Sequence, residues 1–207
     1  MEKADLGQDI PRIRHYPIGK KLNETTSPVI HLKKILSGKH MNPTKLKKLQ
    51  APIKELYRKV PDSALVKLTA ESNGGEGLSC KLETHQNTIE AGLHPATGGS
   101  GLEACSGDML LEALVACAGV TLKAVATAFD TELTKSKVVA EGFLDFRGTL
   151  GVAKEAPVGF EQITLTFDIA GDATNEELKK IVEVTERYCV VLQTLKCTPQ
   201  IDTIFSD

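Results

Sequence analysis

Two cysteines on two predicted helices are the residues of this chain that are best suited to chemistry. Cys117 lies in the apolar run 109–122, and Cys189 lies in the segment 185–195. Each cysteine falls on or beside the apolar side of its helix, so packing of the two helices could bring the sulfurs into contact. Such an arrangement favours a pair in which one thiol is oxidised and the other resolves it.

The other three cysteines give weaker signals. Cys80 lies on a predicted strand, where a small core residue is expected, and Cys197 follows the second helix. Cys105 precedes the first helix and is a more accessible thiol. No two cysteines have CxxC spacing and none is at ligand spacing from a histidine, so we expect no metal site and no cofactor. Five cysteines without an apolar N-terminal signal segment indicate reduced thiols in a cytoplasmic protein.

Charge is divided unevenly along the 207 residues. Residues 1–60 hold 14 Lys and Arg against 5 Asp and Glu, whereas residues 61–207 hold 11 against 22. The basic segment could dock on its own acidic body, on a second subunit or on a polyanion, or be solvated. Few aromatic residues alternate with the basic ones, so we expect no nucleic-acid binding. Glu112 and Lys123 interrupt the longest apolar stretch, so we expect no membrane span.

The residue pattern changes near residue 50. Residues 1–50 are predicted to be a basic N-terminal extension, partly flexible, and residues 51–207 the main domain. Short basic helices are expected over 29–41 and 43–59, the second opened by Pro43.

Apolar periodicity in the main domain predicts alternating groups of strands and helices. Strands are expected over 64–70, 78–84, 87–91, 137–147, 160–169 and 200–205. One helix is expected over about 108–128, capped by Ser106 or Asp108 and apolar on nearly every side. A second begins at Thr174, which forms a capping box with Glu177, and continues to Leu195. This order predicts an α+β domain with a mostly antiparallel sheet and two packed helices.

Four segments carry a resemblance to a known family. They are His94-Pro-Ala-Thr-Gly-Gly99, the run 110–122 around Ala116-Cys117, Asp145-Phe-Arg-Gly-Thr-Leu-Gly151 and Thr185-Glu-Arg-Tyr-Cys-Val-Val191. Over roughly residues 60–207 the chain resembles the OsmC/Ohr family of small stress-response proteins, and in particular an OsmC-like subgroup. The resemblance implies an OsmC-like fold, with an antiparallel sheet and two central helices in an intertwined homodimer.

The same resemblance implies a thiol-dependent peroxidase that reduces organic hydroperoxides. By position, Cys117 resembles the attacking thiol and Cys189 the thiol that forms a disulfide with it. A dithiol or lipoyl-type reductant would then reopen the disulfide. We expect His94, Leu110 and Leu114 to contact the substrate at the mouth of the site.

Activation of the attacking thiol is the point at which this sequence departs from the family pattern. Catalytic members use an arginine before the first helix and a glutamate at its start, but residues 59–122 contain no arginine. Asp108 is the expected substitute for the glutamate. Arg147, the only arginine in the predicted central sheet, is the expected source of positive charge; Arg187, a residue of the basic extension or His94 are the alternatives.

Two functions therefore remain open. The retained cysteine pair favours a peroxidase acting in oxidative-stress defence. The missing arginine favours a non-catalytic OsmC-like dimer that binds a small apolar ligand or a protein partner. In both cases we expect a homodimer, because a helix that is apolar on nearly every side needs cover from a second copy.

Overall fold

A computed structural model describes residues 41–84 and 87–205, and the chain from Met41 onward forms one compact unit. The unit begins with helix α1, Pro43–Lys59, which runs across residue 50. The side chain of Asn42 caps this helix by accepting a hydrogen bond from the Lys45 N–H at 2.9 Å. A single turn of 3₁₀ helix, Pro61–Ala64, follows. The helix expected over 29–41 lies almost entirely outside the described residues.

A small sheet comes next. Strands β1 (Glu71–Gly74), β2 (Ser79–Glu83) and β3 (Thr88–Gly92) pair antiparallel in sequence order. The short β4 (Ala104–Cys105) joins β3 in parallel, with Ala91 opposite Ala104. The strand expected over 64–70 is wrong, because residues 65–70 lie in no strand and are exposed. Pairing begins at Glu71, opposite the last residue of β2, so earlier residues have no strand of this sheet beside them.

The main body consists of a long helix, a two-stranded sheet and a broken helix. Helix α2 spans Ser106–Ala128, and strands β5 (Leu133–Leu144) and β6 (Phe160–Gly171) pair antiparallel. A short helix α3, Phe146–Thr149, lies in their connection. Helices α4 (Asn175–Tyr188) and α5 (Val190–Lys196) complete the body. The elements predicted from β2 to α4 occur in the predicted order, and the structure adds β4 and α3, which were not predicted.

The second predicted helix begins as expected and then breaks. Thr174 and Glu177 form the capping box at the start of α4. At Cys189 the backbone becomes extended (φ −72°, ψ 105°), so α5 starts as a new helix at Val190. The Cys189 N–H still donates to the Thr185 carbonyl, and the Cys189 carbonyl accepts from the Gln193 N–H, both at 2.9 Å. The prediction of a single helix from Thr174 to Leu195 is therefore wrong, because the helix is interrupted at Cys189.

The core lies between α2, the β5–β6 sheet and the broken helix, in two adjacent clusters. In the first, Leu122, Val125 and Ala126 of α2 surround Ile181 of α4. In the second, Leu114 and Ala118 of α2 surround Cys189, and side chains of the β5–β6 sheet pack against both clusters. The break at Cys189 therefore lies inside the core.

Within residues 41–84 and 87–205, helix α2 is covered on one side only. Leu114, Ala118 and Leu122 are fully buried, whereas Ala113, Ala116 and Ala124 are exposed and Val120 is 73% exposed. By length and composition alone, α2 is long and apolar enough to cross a membrane. The expectation that Glu112 and Lys123 would exclude a membrane span is therefore wrong on this criterion. In the structure α2 packs on β5, α4 and α5 as the core helix of an α+β domain.

Two expectations at the ends of elements are also wrong. No side chain caps α2: Cys105 occupies the N-cap position, Ser106 opens the helix and Asp108 lies in its first turn. Residues 200–205 form no strand, and Ile201, Ile204 and Phe205 are each at least 75% exposed.

Candidate functional site

The structure brings the two thiols of interest together. Cys117 lies halfway along α2 and is half-buried, whereas Cys189, at the α4–α5 break, is fully buried. Both sulfurs belong to the core cluster that contains Leu114 and Ala118. Both cysteines are free thiols, so the structure represents the reduced pair.

The surroundings of Cys117 favour its thiolate. Partial burial of the thiol acts to raise its pKa, because a charge is poorly solvated there. Four hydrogen-bond donors oppose this increase in pKa: the backbone N–H of Val191, the side chain of Cys189, the backbone N–H of Val190 and the side chain of Thr121. Together these donors hold the pKa of Cys117 below its ordinary value.

The surroundings of Cys189 have the opposite effect. Burial raises the pKa of the Cys189 thiol, and the neighbouring Cys117 raises it further because its charge repels a second thiolate. The N–H groups of Leu192 and Val191 oppose these effects but do not outweigh them. Of the two thiols, Cys117 is therefore the one that ionises more readily.

The break in the helix explains why backbone N–H groups are available at this point. The first N–H groups of any helix have no partner within that helix. Since α5 starts at Val190, the N–H groups of Val190 and Val191 are free to meet the Cys117 sulfur. An unbroken helix would have used both N–H groups in its own ladder.

Arg147 has a different partner. Its guanidinium forms a two-pronged interaction with the Asp145 carboxylate, with Nε 3.0 and 2.9 Å from Oδ1 and Oδ2. Asp145 also caps α3 and has its pKa lowered by Arg147. Within the described chain, the groups that shift the pKa of Cys117 most include no lysine or arginine. Within one chain, Arg147 is therefore not among the groups that most shift the pKa of Cys117.

Asp108 is also placed away from the thiols. It is exposed in the first turn of α2. It precedes Cys117 by nine positions in the helix, which corresponds to about 14 Å along the axis and, beyond two full turns, roughly half a turn around it. Within one chain its carboxylate faces away from the sulfur.

The three residues expected at the substrate mouth lie in three different settings. His94 caps the 3₁₀ turn Pro95–Thr97 by accepting the Ala96 N–H at Nδ1, and its ring stacks on Phe146 at 4.8 Å. Leu110 is partly exposed on α2, near the edge of its uncovered side. Leu114 is fully buried beneath the thiols, so it forms the floor of the site instead of an open wall.

Two features of the site were missed by the sequence analysis. One is the hydroxyl of Thr121, for which a usable signal existed: it lies one helical turn after Cys117. The other is the pair of N–H groups at the break, for which the sequence gives no signal because neither proline nor glycine marks it. Among the described residues, no group of three or more His, Cys, Asp or Glu side chains could hold a metal ion.

Comparison with known proteins identifies the fold. The sequence model of the OsmC family, described as OsmC-like protein, matches residues 99–204, just over half of the chain. Among curated proteins, none matches the chain.

Solved structures of similar fold come from several bacteria. An OsmC-like protein from Mycoplasma pneumoniae has a TM-score of 0.54 at 20% identity, covering 64% of this chain and 89% of that one. An organic hydroperoxide resistance protein from Elizabethkingia anophelis has a TM-score of 0.52 at 18% identity, with coverages of 65% and 91%. An OsmC-like protein of unknown function from Vibrio cholerae has a TM-score of 0.52 at 11% identity, with coverages of 63% and 94%. On the match of its sequence and the agreement of its fold, this chain belongs to the OsmC-like protein family.

Proposed function

We propose that this protein is a thiol peroxidase that reduces organic hydroperoxides with the pair Cys117 and Cys189. The observation that carries the proposal is the asymmetry of two touching thiols. Cys117 is partly accessible and has a lowered pKa, whereas Cys189 is fully buried and has a raised pKa. A peroxide arriving from solvent would therefore meet the more nucleophilic thiol first.

The proposed reaction has three steps. The Cys117 thiolate attacks the peroxide ROOH, an S–O bond forms as the O–O bond breaks, and the leaving alkoxide takes a proton to give ROH. The sulfenic acid on Cys117 then condenses with the Cys189 thiol, releasing water and forming a disulfide. A dithiol or lipoyl-type reductant reduces the disulfide and becomes oxidised in turn.

The apolar character of the surrounding surface supports an organic peroxide as the substrate. Beside the Cys117 sulfur, Val190 at the start of α5 is 71% exposed, and Leu110 of α2 is partly exposed. Apolar side chains favour a hydrocarbon substituent over a fully hydrated small peroxide. The name of the Elizabethkingia anophelis relative is consistent with this substrate class.

A non-catalytic OsmC-like dimer that binds an apolar ligand or a protein partner is the alternative. The Asp145–Arg147 ion pair favours it, because the charge expected to activate Cys117 is already neutralised. The backbone N–H groups at the α4–α5 break weaken this alternative, since they stabilise a thiolate without a side-chain cation.

Peroxide consumption with a dithiol reductant tests the proposal. Wild-type protein is expected to consume an organic hydroperoxide catalytically, and Cys117→Ser to lose turnover, because serine is not oxidised. Cys189→Ser should retain one stoichiometric oxidation of Cys117 but form no intramolecular disulfide. Cys197→Ser, at an exposed thiol, serves as the matched control and should turn over normally.

The opposite outcome is equally clear. Equal peroxide consumption by the wild type and Cys117→Ser would exclude the proposed chemistry. Failure of the wild type to react, with both thiols shown to be reduced by mass, would favour the non-catalytic dimer.

A further inference from the structure

We infer that Gln193 is a positioning residue for the Cys117–Cys189 pair, because its side-chain amide holds the helix break at which Cys189 lies. Gln193 is half-buried on α5. The inference deepens the proposed function and rests on it for its catalytic meaning. Gln193 is not expected to contact the peroxide; it acts through the backbone that carries the second thiol.

The break at Cys189 leaves a backbone carbonyl without its usual partner. In a continuous α-helix, the Glu186 carbonyl would accept a hydrogen bond from the N–H of Val190, four residues later. At the end of a helix, other groups must satisfy such carbonyls. Here the donor is the side-chain Nε2 of Gln193, which lies 2.8 Å from the Glu186 carbonyl oxygen. A side chain that enters the backbone ladder in this way is a known cause of a sharp interruption in a helix.

Gln193 forms hydrogen bonds on both sides of Cys189. Its side chain reaches back to Glu186 in α4, and its own N–H donates to the Cys189 carbonyl at 2.9 Å. The Cys189 N–H in turn donates to the Thr185 carbonyl, also at 2.9 Å. The extended residue is thus fixed between two helices, with its side chain fully buried against α2.

A second contact crosses the same break but is less able to hold it. Lys196 Nζ lies 3.3 Å from Glu186 Oε2, and the two side chains are 54% and 44% exposed. An ion pair this exposed contributes little to stability, because water solvates both charges. It also joins one side chain to another, whereas the Gln193 amide binds the backbone itself.

The position of the break matters most when the disulfide forms. A disulfide requires the two Cα atoms to lie within about 7 Å of each other and the side chains to point together. The oxidised protein must therefore keep the backbone at Cys189 in place. The reduced protein has no such constraint, so without the Gln193 amide it can relax toward a continuous helix. Loss of the amide is then expected to favour the dithiol over the disulfide.

The test is the thiol–disulfide equilibrium of the pair in glutathione buffers. The two protein thiols are oxidised to a disulfide as one oxidised glutathione becomes two reduced glutathiones. The full-length protein is equilibrated at a series of ratios and quenched, and the linked Cys117–Cys189 peptides are quantified by mass. Gln193→Met keeps the length of the side chain but removes the donor. Its equilibrium constant for disulfide formation is expected to fall about three- to tenfold, the effect of one hydrogen bond.

Lys196→Met is the matched control, because it places the same side chain on the same helix and removes only the exposed ion pair. Its equilibrium constant should stay within about twofold of the wild type. Gln193→Ser gives a second measurement if the methionine variant folds poorly, since serine is too short to reach the Glu186 carbonyl.

Three results would overturn the inference. One is an unchanged equilibrium constant in a folded Gln193 variant, because a residue that stabilises the reduced and oxidised forms equally leaves this equilibrium where it is. Another is an equal loss in Lys196→Met. The third is a wild type that forms no Cys117–Cys189 disulfide at any glutathione ratio.

Peroxide kinetics separate this inference from the proposed function. If both are correct, one equivalent of peroxide oxidises Cys117 at the wild-type rate in Gln193→Met, but the disulfide then forms about three- to tenfold more slowly. A shifted glutathione equilibrium in a protein that never reacts with peroxide would uphold Gln193 as a positioning residue and refute only the peroxidase.

Discussion

At the scale of single residues, Cys117 and Cys189 differ in how readily they ionise, because their surroundings differ. Cys117 receives hydrogen bonds from neutral donors, whereas Cys189 is enclosed by apolar side chains and a neighbouring thiol. Neutral donors are weaker than an ion pair, but here several converge on one sulfur. Their combined effect outweighs the cost of partial burial.

Removing the donor at residue 189 should therefore weaken the ionisation of Cys117. Cys189→Ala is expected to raise the alkylation midpoint of Cys117 by up to about one pH unit, because a hydrogen bond to the thiolate is lost. Cys189→Ser keeps a donor and should lie near the wild type. Peptide-level alkylation with iodoacetamide across pH measures all three.

Arg147→Met provides the contrast in the same assay. Its guanidinium is engaged by Asp145, so the midpoint of Cys117 should stay where it is. A rise of about one unit in Arg147→Met, with none in Cys189→Ala, would contradict the neutral-donor account and restore the arginine to the site.

At the scale of elements, the parts of the fold that depend on short-range pattern were predictable. The capping box at Thr174 and the long apolar helix around Cys117 are local signals, and both are confirmed within two residues. The break at Cys189 was not predictable, because neither glycine nor proline forces it. At the break Cys189 packs against Leu114 and Ala118 of α2, which lie too far away in the sequence for a local pattern to include them.

Strand prediction failed where the sequence pattern needs a neighbour that the described chain does not provide. Residues 64–70 and 200–205 alternate apolar and polar side chains, yet both segments are exposed and unpaired. Alternation indicates which residues a strand would bury, but pairing requires an open edge at the right place.

The packing of α2 on α4 can be tested at Ile181, which is fully buried between them. Ile181→Ala should lower the free energy of unfolding by about 2–5 kcal/mol, because the cavity it leaves is bounded by two rigid helices. Urea denaturation followed by circular dichroism measures the change. Lys179→Ala on the exposed side of α4 should change it by less than about 0.5 kcal/mol, and equal losses in both variants would contradict this packing.

At the scale of the whole molecule, one side of α2 is not covered by the described residues of the chain. It exposes Ala113, Ala116, Val120 and Ala124 along the helix that holds Cys117. A contiguous apolar surface of this kind marks an interaction site. We propose that a second copy covers it, as the expected homodimer requires.

Sedimentation at low micromolar concentration tests the homodimer. The wild type should sediment at twice the 22.3 kDa mass of one chain. Val120→Lys should shift it toward the monomer, because a charge would be buried at the interface. Lys179→Glu, a charge change on the exposed side of α4, should leave the dimer intact. A wild type that is stably folded as a monomer would refute the proposal.

The enclosure of Cys189 has a kinetic consequence for the proposed cycle. When the disulfide is reopened, the reductant can reach only the sulfur of Cys117, so Cys189 must depart as the leaving group. A thiol of high pKa leaves slowly, and burial keeps this one high. At high peroxide concentration, reduction of the disulfide would then be slower than oxidation of Cys117 and would limit the rate of turnover. The oxidised fraction of the protein would then increase when the supply of reductant decreases, so this fraction would depend on the redox state of its surroundings.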